Sequence, residues 1–387
     1  MRFLVIGAGK QGSACAFDLL KLPTTARVCL ADKAIDREWP FLAEFKRSGR
    51  LELLKLDLAD AAAVRRAISG VDSVLSAAPY YFNAELTKVA IELRKHFADL
   101  GGNTEIVLQQ KKMHESAVKQ GVTVVADCGL APGMVNILAG EGIRRLDTTE
   151  SVKIYVGGLP QHPEPPINYM VVYSLEGALD YYTTPSWVLR GGKMVHVEAL
   201  SELEDIDFPT PVGKLEAFHT GGGISLMPFR YEGKIPVMEY KTLRYPGHVA
   251  IMKPVRDLGL IDATPIPVEG VTEKVSPRKL FIAAAGPKLT WPHGRDLVAL
   301  RVDVRGKKNG RSAGTRWQLV DRFDERTEVT AMMRTTGYSL AITGVMQCDG
   351  RIGPPGVYVP DECVPVDAYV AELAKRGIII EESALQA

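Results

Sequence analysis

No stretch of this chain approaches the roughly 20 unbroken apolar residues that a membrane-crossing helix requires. Its charges nearly cancel: 47 Lys and Arg stand against 46 Asp and Glu, a net +1. That balance lacks the basic excess with which proteins hold nucleic acid or an anionic membrane, so neither is expected as a partner. Cysteine is scarce. Cys15, Cys29, Cys128, Cys348 and Cys363 are odd in number, lie far apart and form no CxxC pair. The spacing argues against a disulfide scaffold and against a metal site, and it fits reduced thiols in the cytoplasm. No basic segment precedes the first apolar stretch, which argues against a secretory leader. Internal repeats and low-complexity segments are missing too. What remains is ordinary globular composition, 46% hydrophobic and 24% charged over 387 residues, enough for two or more domains.

Strand and helix alternate in the first third. Short apolar runs at 2–6, 27–31, 51–56, 72–77, 97–100 and 122–126 read as buried strands. Between them, 11–21, 61–69, 84–96 and 104–119 read as helices, the first burying Ala14, Phe17 and Leu20 on one face. Such alternation predicts a Rossmann-type, doubly wound parallel sheet with right-handed crossovers. After residue 130 the pattern changes. A helix at 132–146 is followed by strands at 152–156, 170–173, 187–189, 193–197, 215–219, 239–245, 297–304 and 315–321, then 328–332. This predicts a second, α+β domain on a mixed or antiparallel sheet. Helices at 335–346 and 364–375, the latter ending near Gly377, are expected to return to the first domain. The expected division is 1–130, 131–333 and 334–387.

Gly7-Ala8-Gly9-Lys10-Gln11-Gly12 is GxGxxG set between an apolar strand and a helix, the context that gives this pattern its meaning. Gly7 permits the tight turn, Gly9 lets the backbone approach a pyrophosphate, and Gly12 lets the helix pack on the strand. Lys10 and Gln11 open the helix, whose free N–H groups favour the phosphates. Asp32 stands 20 residues after Gly12. A carboxylate there accepts from both ribose hydroxyls and repels a 2′-phosphate, so NAD is the expected cofactor, against a weak pull toward NADP from Lys33. Asp57 suits the adenine side or a turn equally. Ser76, Ala77, Ala78 and Pro79 end the fourth strand, where small residues let the cofactor lie against the backbone; Gly129 is counted with them.

The second domain must hold a substrate against the nicotinamide. The densest polar segment is Lys241-Thr242-Leu243-Arg244-Tyr245-Pro246-Gly247-His248, in which strand alternation puts Thr242 and Arg244 on one face. Arg244, at a strand end, is suited to a carboxylate, and a surface arginine is the plain alternative. Asn168, Tyr173, Ser174 and Glu176 form a second group, Ser174 serving equally as a helix N-cap. Tyr80 and Tyr81 follow the fourth strand and suit a substrate wall or simple packing. His248 and Glu176 are the acid/base candidates.

These stretches resemble the saccharopine dehydrogenase-like superfamily, most closely its lysine 6-dehydrogenase members. The similarity runs through Val5–Gly9, 127–134 (Asp-Cys-Gly-Leu-Ala-Pro-Gly-Met), 157–160 (Gly-Gly-Leu-Pro), 173–177, 213–218 and 241–248. The resemblance implies NAD-dependent oxidative deamination of the ε-amine of L-lysine. The product is the 6-semialdehyde, which cyclises to piperideine-6-carboxylate, with release of ammonia. It also implies a homo-oligomer, dimer or larger, and an amino-acid substrate whose carboxylate Arg244 holds. Ala131 stands where saccharopine reductases usually carry an acidic residue, which weakens saccharopine as substrate. Two other readings stay open: a reductase such as saccharopine reductase or carboxynorspermidine dehydrogenase, and a non-catalytic NAD(H)-sensing regulator.

Overall fold

The structure is a computed structural model that describes residues 1–385. In the first half, β1 (Arg2–Ile6), β2 (Arg27–Asp32), β3 (Leu51–Lys55), β4 (Ser73–Ser76), β5 (His96–Asp99) and β6 (Thr123–Val125) run parallel in the order β3-β2-β1-β4-β5-β6. Phe3, Leu4, Val5 and Ile6 are all buried, as a strand covered on both faces demands. The chain order reverses between β1 and β4, the crevice where such sheets bind ligands. The helix Lys10–Lys21 covers one face and is itself covered by the helix Ala331–Cys348. The two cross closely because Gly337 has no side chain: a Cβ there would lie 2.6 Å from the Gln11 carbonyl oxygen.

The second half is built on a mixed sheet. It comprises β7 (Thr148–Pro160), β8 (Ser186–Arg190), β9 (Lys193–Val197), β10 (Glu204–Phe208), β11 (Gly213–His219), β12 (Val237–Arg244), β13 (Asp296–Lys308) and β14 (Arg311–Arg322). The path β10-β11-β12-β7-β13-β14 is antiparallel except for the parallel β12–β7 pair. Two later strands stitch the halves together. β15 (Gly356–Tyr358) extends the first sheet beside β6, and β16 (Glu381–Ala384) extends the second beside β14. One apolar core runs from Phe3 and Val5 through Val135 and Ile342 to Val152 and Val298. The helix Ala331–Cys348 anchors to the first sheet: Gln347 Nε2 donates to the Phe97 and Thr123 carbonyls at 2.9 and 3.0 Å.

Some elements depart from their sequence pattern. Residues 170–173 form no strand; Met170 and Val172 are buried, yet the only ladder-like contact is Val171 N to Leu289 O at 2.8 Å, so their apolar character serves packing. Residues 328–332 are not a strand either. Asp296 accepts from the Ala331 and Met332 amides at 2.7 and 2.9 Å and Thr330 accepts from Met333 N, which starts a helix instead. The span 104–119 is two helices, Thr104–Lys111 and His114–Gln120, and the helix before β5 stops at Glu92.

Candidate active site

The glycine turn is shaped for a dinucleotide. Gly7 sits at φ 99°, and a Cβ on it would lie 2.7 Å from the Ala77 carbonyl oxygen. A Cβ on Gly12 would collide with the Gly7 carbonyl, whereas one on Gly9 meets nothing within 4 Å. Open space above Gly9 beside a helix start is what a pyrophosphate needs. Gln11 supplies an independent mark of fit: both polar atoms of its amide are buried without a partner, and the residue lines the cavity beyond the turn. A buried amide with neither hydrogen bond made is costly unless a ligand completes it. Asp32 ends β2, its Oδ2 accepting from Ala8 N at 2.6 Å and its Oδ1 from Ala34 N at 2.9 Å.

The other sequence candidates near the turn divide. Lys10 is half-buried, with Nζ 3.4 Å from the Val171 carbonyl, and burial lowers its pKa. Ala77 and Ala78 are partly buried, and Gly129 borders the cavity. Asp57 is exposed, accepts from Ala59 N at 3.0 Å and pairs with Lys33 at 3.2 Å, which is its turn role. Ser76 turns its hydroxyl away, donating to Asn83 Oδ1 at 2.8 Å, and Pro79 is exposed at the head of a short 3-10 turn.

A cavity of about 230 Å³ opens where the two halves meet, bounded by Gln11, Leu100, Gly129 and Met332 on one side and by Tyr173, Tyr240, Thr242 and Arg244 on the other. Alternation along β12 delivers Tyr240, Thr242 and Arg244 to this face. Arg244 is only 3% exposed. Its Nε donates to the Tyr182 hydroxyl at 3.2 Å, one terminal nitrogen donates to its own Leu243 carbonyl at 2.8 Å, and the guanidinium lies 4.7 Å from the Tyr169 ring centre. The phenols of Tyr182, Tyr169 and Tyr173, neutral at ordinary pH, surround it. Thr242 shares a hydrogen bond with Thr220 at 2.8 Å. A second compartment of about 380 Å³ shares Gly101, Gly102, Pro132 and Tyr181 with the first and adds Tyr80, Glu105, Asp127, Asp180 and Ser225.

The geometry places five sequence candidates away from the cavity with Arg244, Ser174 in the cap role the sequence also allowed. Lys241 points to the opposite face of β12, where Nζ contacts the Glu202 carbonyl at 2.6 Å and Glu204 at 2.8 Å. His248 is 1% exposed and stands behind Arg244: Nε2 bonds the Tyr182 hydroxyl at 2.9 Å and Nδ1 the Ile167 carbonyl at 3.1 Å. Burial and the nearby Arg244 charge push its pKa down to about 3, so it stays neutral and buttresses Tyr182. Glu176 is exposed in the first turn of the helix Leu175–Thr183, outside both compartments. Ser174 caps that helix, accepting from Gly177 N at 3.2 Å. Asn168 takes φ 50° in a turn and borders neither compartment. Tyr80, in contrast, does border the second compartment, half in solvent and edge-on to Tyr81.

Residue-by-residue reading overlooked Asp127, Ser225, Tyr181 and Tyr240. Asp127 follows β6 at the carboxyl edge of the sheet, a position rule that was available in the sequence. Tyr240 follows from the same β12 alternation that places Thr242 and Arg244, whereas Tyr181 and Ser225 come from a helix and a loop whose approach depends on the whole fold. Glu202, His219 and Glu239 also converge, but the Arg190 guanidinium bonds Glu202 and Glu239 at 2.8 and 2.7 Å and fills the charge there.

A glycine turn fit for a dinucleotide, opening onto a cavity with a buried arginine, is the arrangement of a Rossmann-type oxidoreductase with a nicotinamide-dinucleotide domain. Residues 3–125 match the Saccharopine dehydrogenase NADP binding domain, residues 129–378 match the Saccharopine dehydrogenase C-terminal domain, and the chain belongs to the saccharopine dehydrogenase family. It is 22% identical to the glutamate-forming saccharopine dehydrogenase of Schizosaccharomyces pombe, over 85% of this chain and 88% of that one. It is 21% identical to the carboxynorspermidine synthase of Vibrio cholerae, over 98% and 96% of the two chains. Identity to the alpha-aminoadipic semialdehyde synthase of Arabidopsis thaliana is 27% over 55% of this chain and 21% of that protein, so the match spans about a fifth of its length. Among solved structures, the apo saccharopine dehydrogenase (L-Glu forming) of Saccharomyces cerevisiae superposes with TM-score 0.78 over 100% of both chains at 20% identity. The homospermidine synthase of Legionella pneumophila in complex with NAD superposes with TM-score 0.71 over 99% and 91% at 10% identity. These superpositions establish a shared fold. No helix among the described residues is long and apolar enough to cross a membrane.

Proposed function

We propose that this chain oxidises the ε-amine of L-lysine with NAD, giving the 6-semialdehyde and ammonia. The observation that carries the reading is Arg244, a guanidinium buried on a cavity wall whose hydrogen bonds among the described residues go to a phenol and a backbone carbonyl, with no ion pair to a carboxylate among those residues. A buried cation without a partner is costly, and the carboxylate of an amino-acid substrate completes it through two parallel hydrogen bonds. Tyr173, Tyr181 and Tyr240 line the space beyond and suit an aliphatic chain that ends in an amine. Holding the α-carboxylate at the far end sets how deeply the chain reaches.

Gly7, Gly9, Gly12 and Gln11 would hold the pyrophosphate half of the cofactor, and Asp32 the ribose hydroxyls. Bound NAD supplies the acceptor for the two electrons removed from carbon. Asp32, with Lys33 tied to Asp57, supports NAD over NADP. The ammonium of free lysine has a pKa of about 10.4, so the site must relieve it of a proton before its carbon can be oxidised. A homo-oligomer of cytoplasmic chains and the division at 1–130, 131–333 and 334–387 belong to the same reading.

An initial-rate screen tests it. Lysine and NAD alone should reduce the cofactor and release ammonia in equal amounts. The second compartment favours one alternative, since it leaves room for a second substrate. Turnover only with an amine, an aldehyde and reduced cofactor together would move the chain to that reductase reading.

A further inference from the structure

We propose that Asp127 is the catalytic residue that exchanges protons with the reacting amine. The inference rests on the reading that an amine is oxidised beside the glycine turn, and it replaces His248 and Glu176 in that role. Asp127 follows β6 and lines the second compartment, which shares Gly101, Gly102, Pro132 and Tyr181 with the cavity that holds Arg244. It is 2% exposed. Its Oδ1 accepts from Gly102 N at 3.2 Å, and the Ser225 hydroxyl donates to its Oδ2. Gly102 borders both compartments, so the carboxyl is held where their linings meet. Asp127 and Ser225 take φ 63° and 56°, a backbone region that side-chain-bearing residues rarely adopt. Two such residues bonded to each other mark a carboxyl whose placement the fold enforces.

The groups facing it are known element by element. Asp99 on β5 accepts from Asp127 N at 3.2 Å, and Asp361, paired with Arg230, stands in the helix Pro360–Cys363. Tyr181 approaches from the helix Leu175–Thr183, and Glu105, Asp180 and Tyr80 border the same compartment. Burial foremost, then the Asp99 and Asp361 charges against the Ser225 and Gly102 bonds, place its pKa at about 7. A carboxyl poised there gives up and accepts protons readily at neutral pH.

The Asp127 carboxylate takes a proton from the substrate ammonium, an N–H bond breaking as an O–H bond forms. The freed lone pair becomes the C=N bond as carbon is oxidised and the nicotinamide reduced. The captured proton passes to solvent, the one proton the overall reaction releases. Asp127, again a carboxylate, takes a proton from the water that adds to the C=N carbon and delivers it to nitrogen. The C–N bond then breaks, the hydroxyl proton goes with nitrogen, and aldehyde and ammonium separate.

Asp127→Asn keeps the shape and removes the exchange. In the wild type, kcat/KM should fall with unit slope below about pH 7, the range in which Asp127 is protonated. In the variant that limb should vanish and kcat should drop at least about 100-fold. Ser225→Ala, which removes a bond favouring the carboxylate, should move the limb to higher pH. A second readout needs no turnover. Calorimetry of lysine binding to the cofactor-free protein, in two buffers of different ionisation enthalpy near pH 7, should reveal proton exchange. Norleucine, the same chain without the ε-amine, should exchange none, and Asp127→Asn none with either. The comparison is made with whichever amine the wild type oxidises. If Asp127→Asn keeps both the limb and the proton exchange, the role of Asp127 is overturned while the functional reading stands. A wild type that oxidises no amine overturns both.

Discussion

Arg244 keeps its charge among phenol rings, and that arrangement separates what it does for folding from what it does for binding. A buried guanidinium that among the described residues rests on Tyr182, Tyr169 and a backbone carbonyl contributes little to stability. Arg244→Met should therefore leave the melting temperature unchanged or raise it, while lysine KM rises about 100-fold, the loss of a charge-assisted bidentate contact. Cofactor affinity should change less than about 2-fold; equal losses in both affinities would contradict a carboxylate role. Asp127 makes a related case through pH. Its pKa is raised in the folded chain, from near 3.9 when unfolded to about 7. Its protonated form thus stabilises the fold at low pH, and that contribution is lost as pH climbs from about 4 through 7. Asp127→Asn, which never ionises, should melt higher than the wild type at pH 8 by about 2 °C or more, with the gap closing toward pH 5. Thermal melts across that range check the sign.

At the scale of elements, the glycine turn divides its labour in a way that can be measured. Gly12 packs against the Gly7 carbonyl, so Gly12→Ala should destabilise the protein by about 1–3 kcal/mol through overpacking. Gly9 faces open space with φ −70°, so Gly9→Ala should melt like the wild type yet bind cofactor at least about 10-fold more weakly. Equilibrium binding and thermal melts on the two variants separate these effects. This turn was readable in the sequence because each of its requirements is local: a short apolar run, glycines at fixed offsets, an acid at the end of the next strand. Strand alternation likewise sent Thr242 and Arg244 to one face, and the same rule sends Lys241 to the other. His248 was misread because its spacing is that of a helix start near a binding strand, while its burial depends on Tyr182 and Ile167, which lie 66 and 81 residues away. Residues 170–173 failed for a related reason: apolar content reports burial, and only a neighbour of matching edge turns a buried run into a strand.

At the scale of the whole molecule, one surface is conspicuous for its lack of polarity. Leu258 at 76% exposure and Leu280 at 62% lie with Leu260, Ile266 and Val268 around a shallow apolar groove between the ends of the helices His248–Asp257 and Pro277–Leu289. If a homo-oligomer forms through this face, Leu258→Glu with Leu280→Glu should lower the mass measured by light scattering while leaving the cofactor affinity of each chain intact. An unchanged mass would place the interface elsewhere. The fold class was legible at this scale from alternation alone. The stitching of the halves was not, since neither 356–358 nor 381–384 carries a strand signal apart from its neighbours.

That stitching has a consequence for how the protein comes into being. The helix Ala331–Cys348 covers the helix Lys10–Lys21, and β15 extends the first sheet beside β6, so residues of the glycine turn wait for residues made much later. At ribosomal speeds of about 5–20 residues per second, the glycine turn is synthesised within seconds but its supporting helix follows roughly 320 residues later. During that interval Phe3, Ala14 and Leu75 have no finished surface to rest on. A fragment ending at residue 330 should accordingly aggregate on expression and bind no nicotinamide cofactor, whereas co-expressing 331–387 as a separate chain should recover part of both properties.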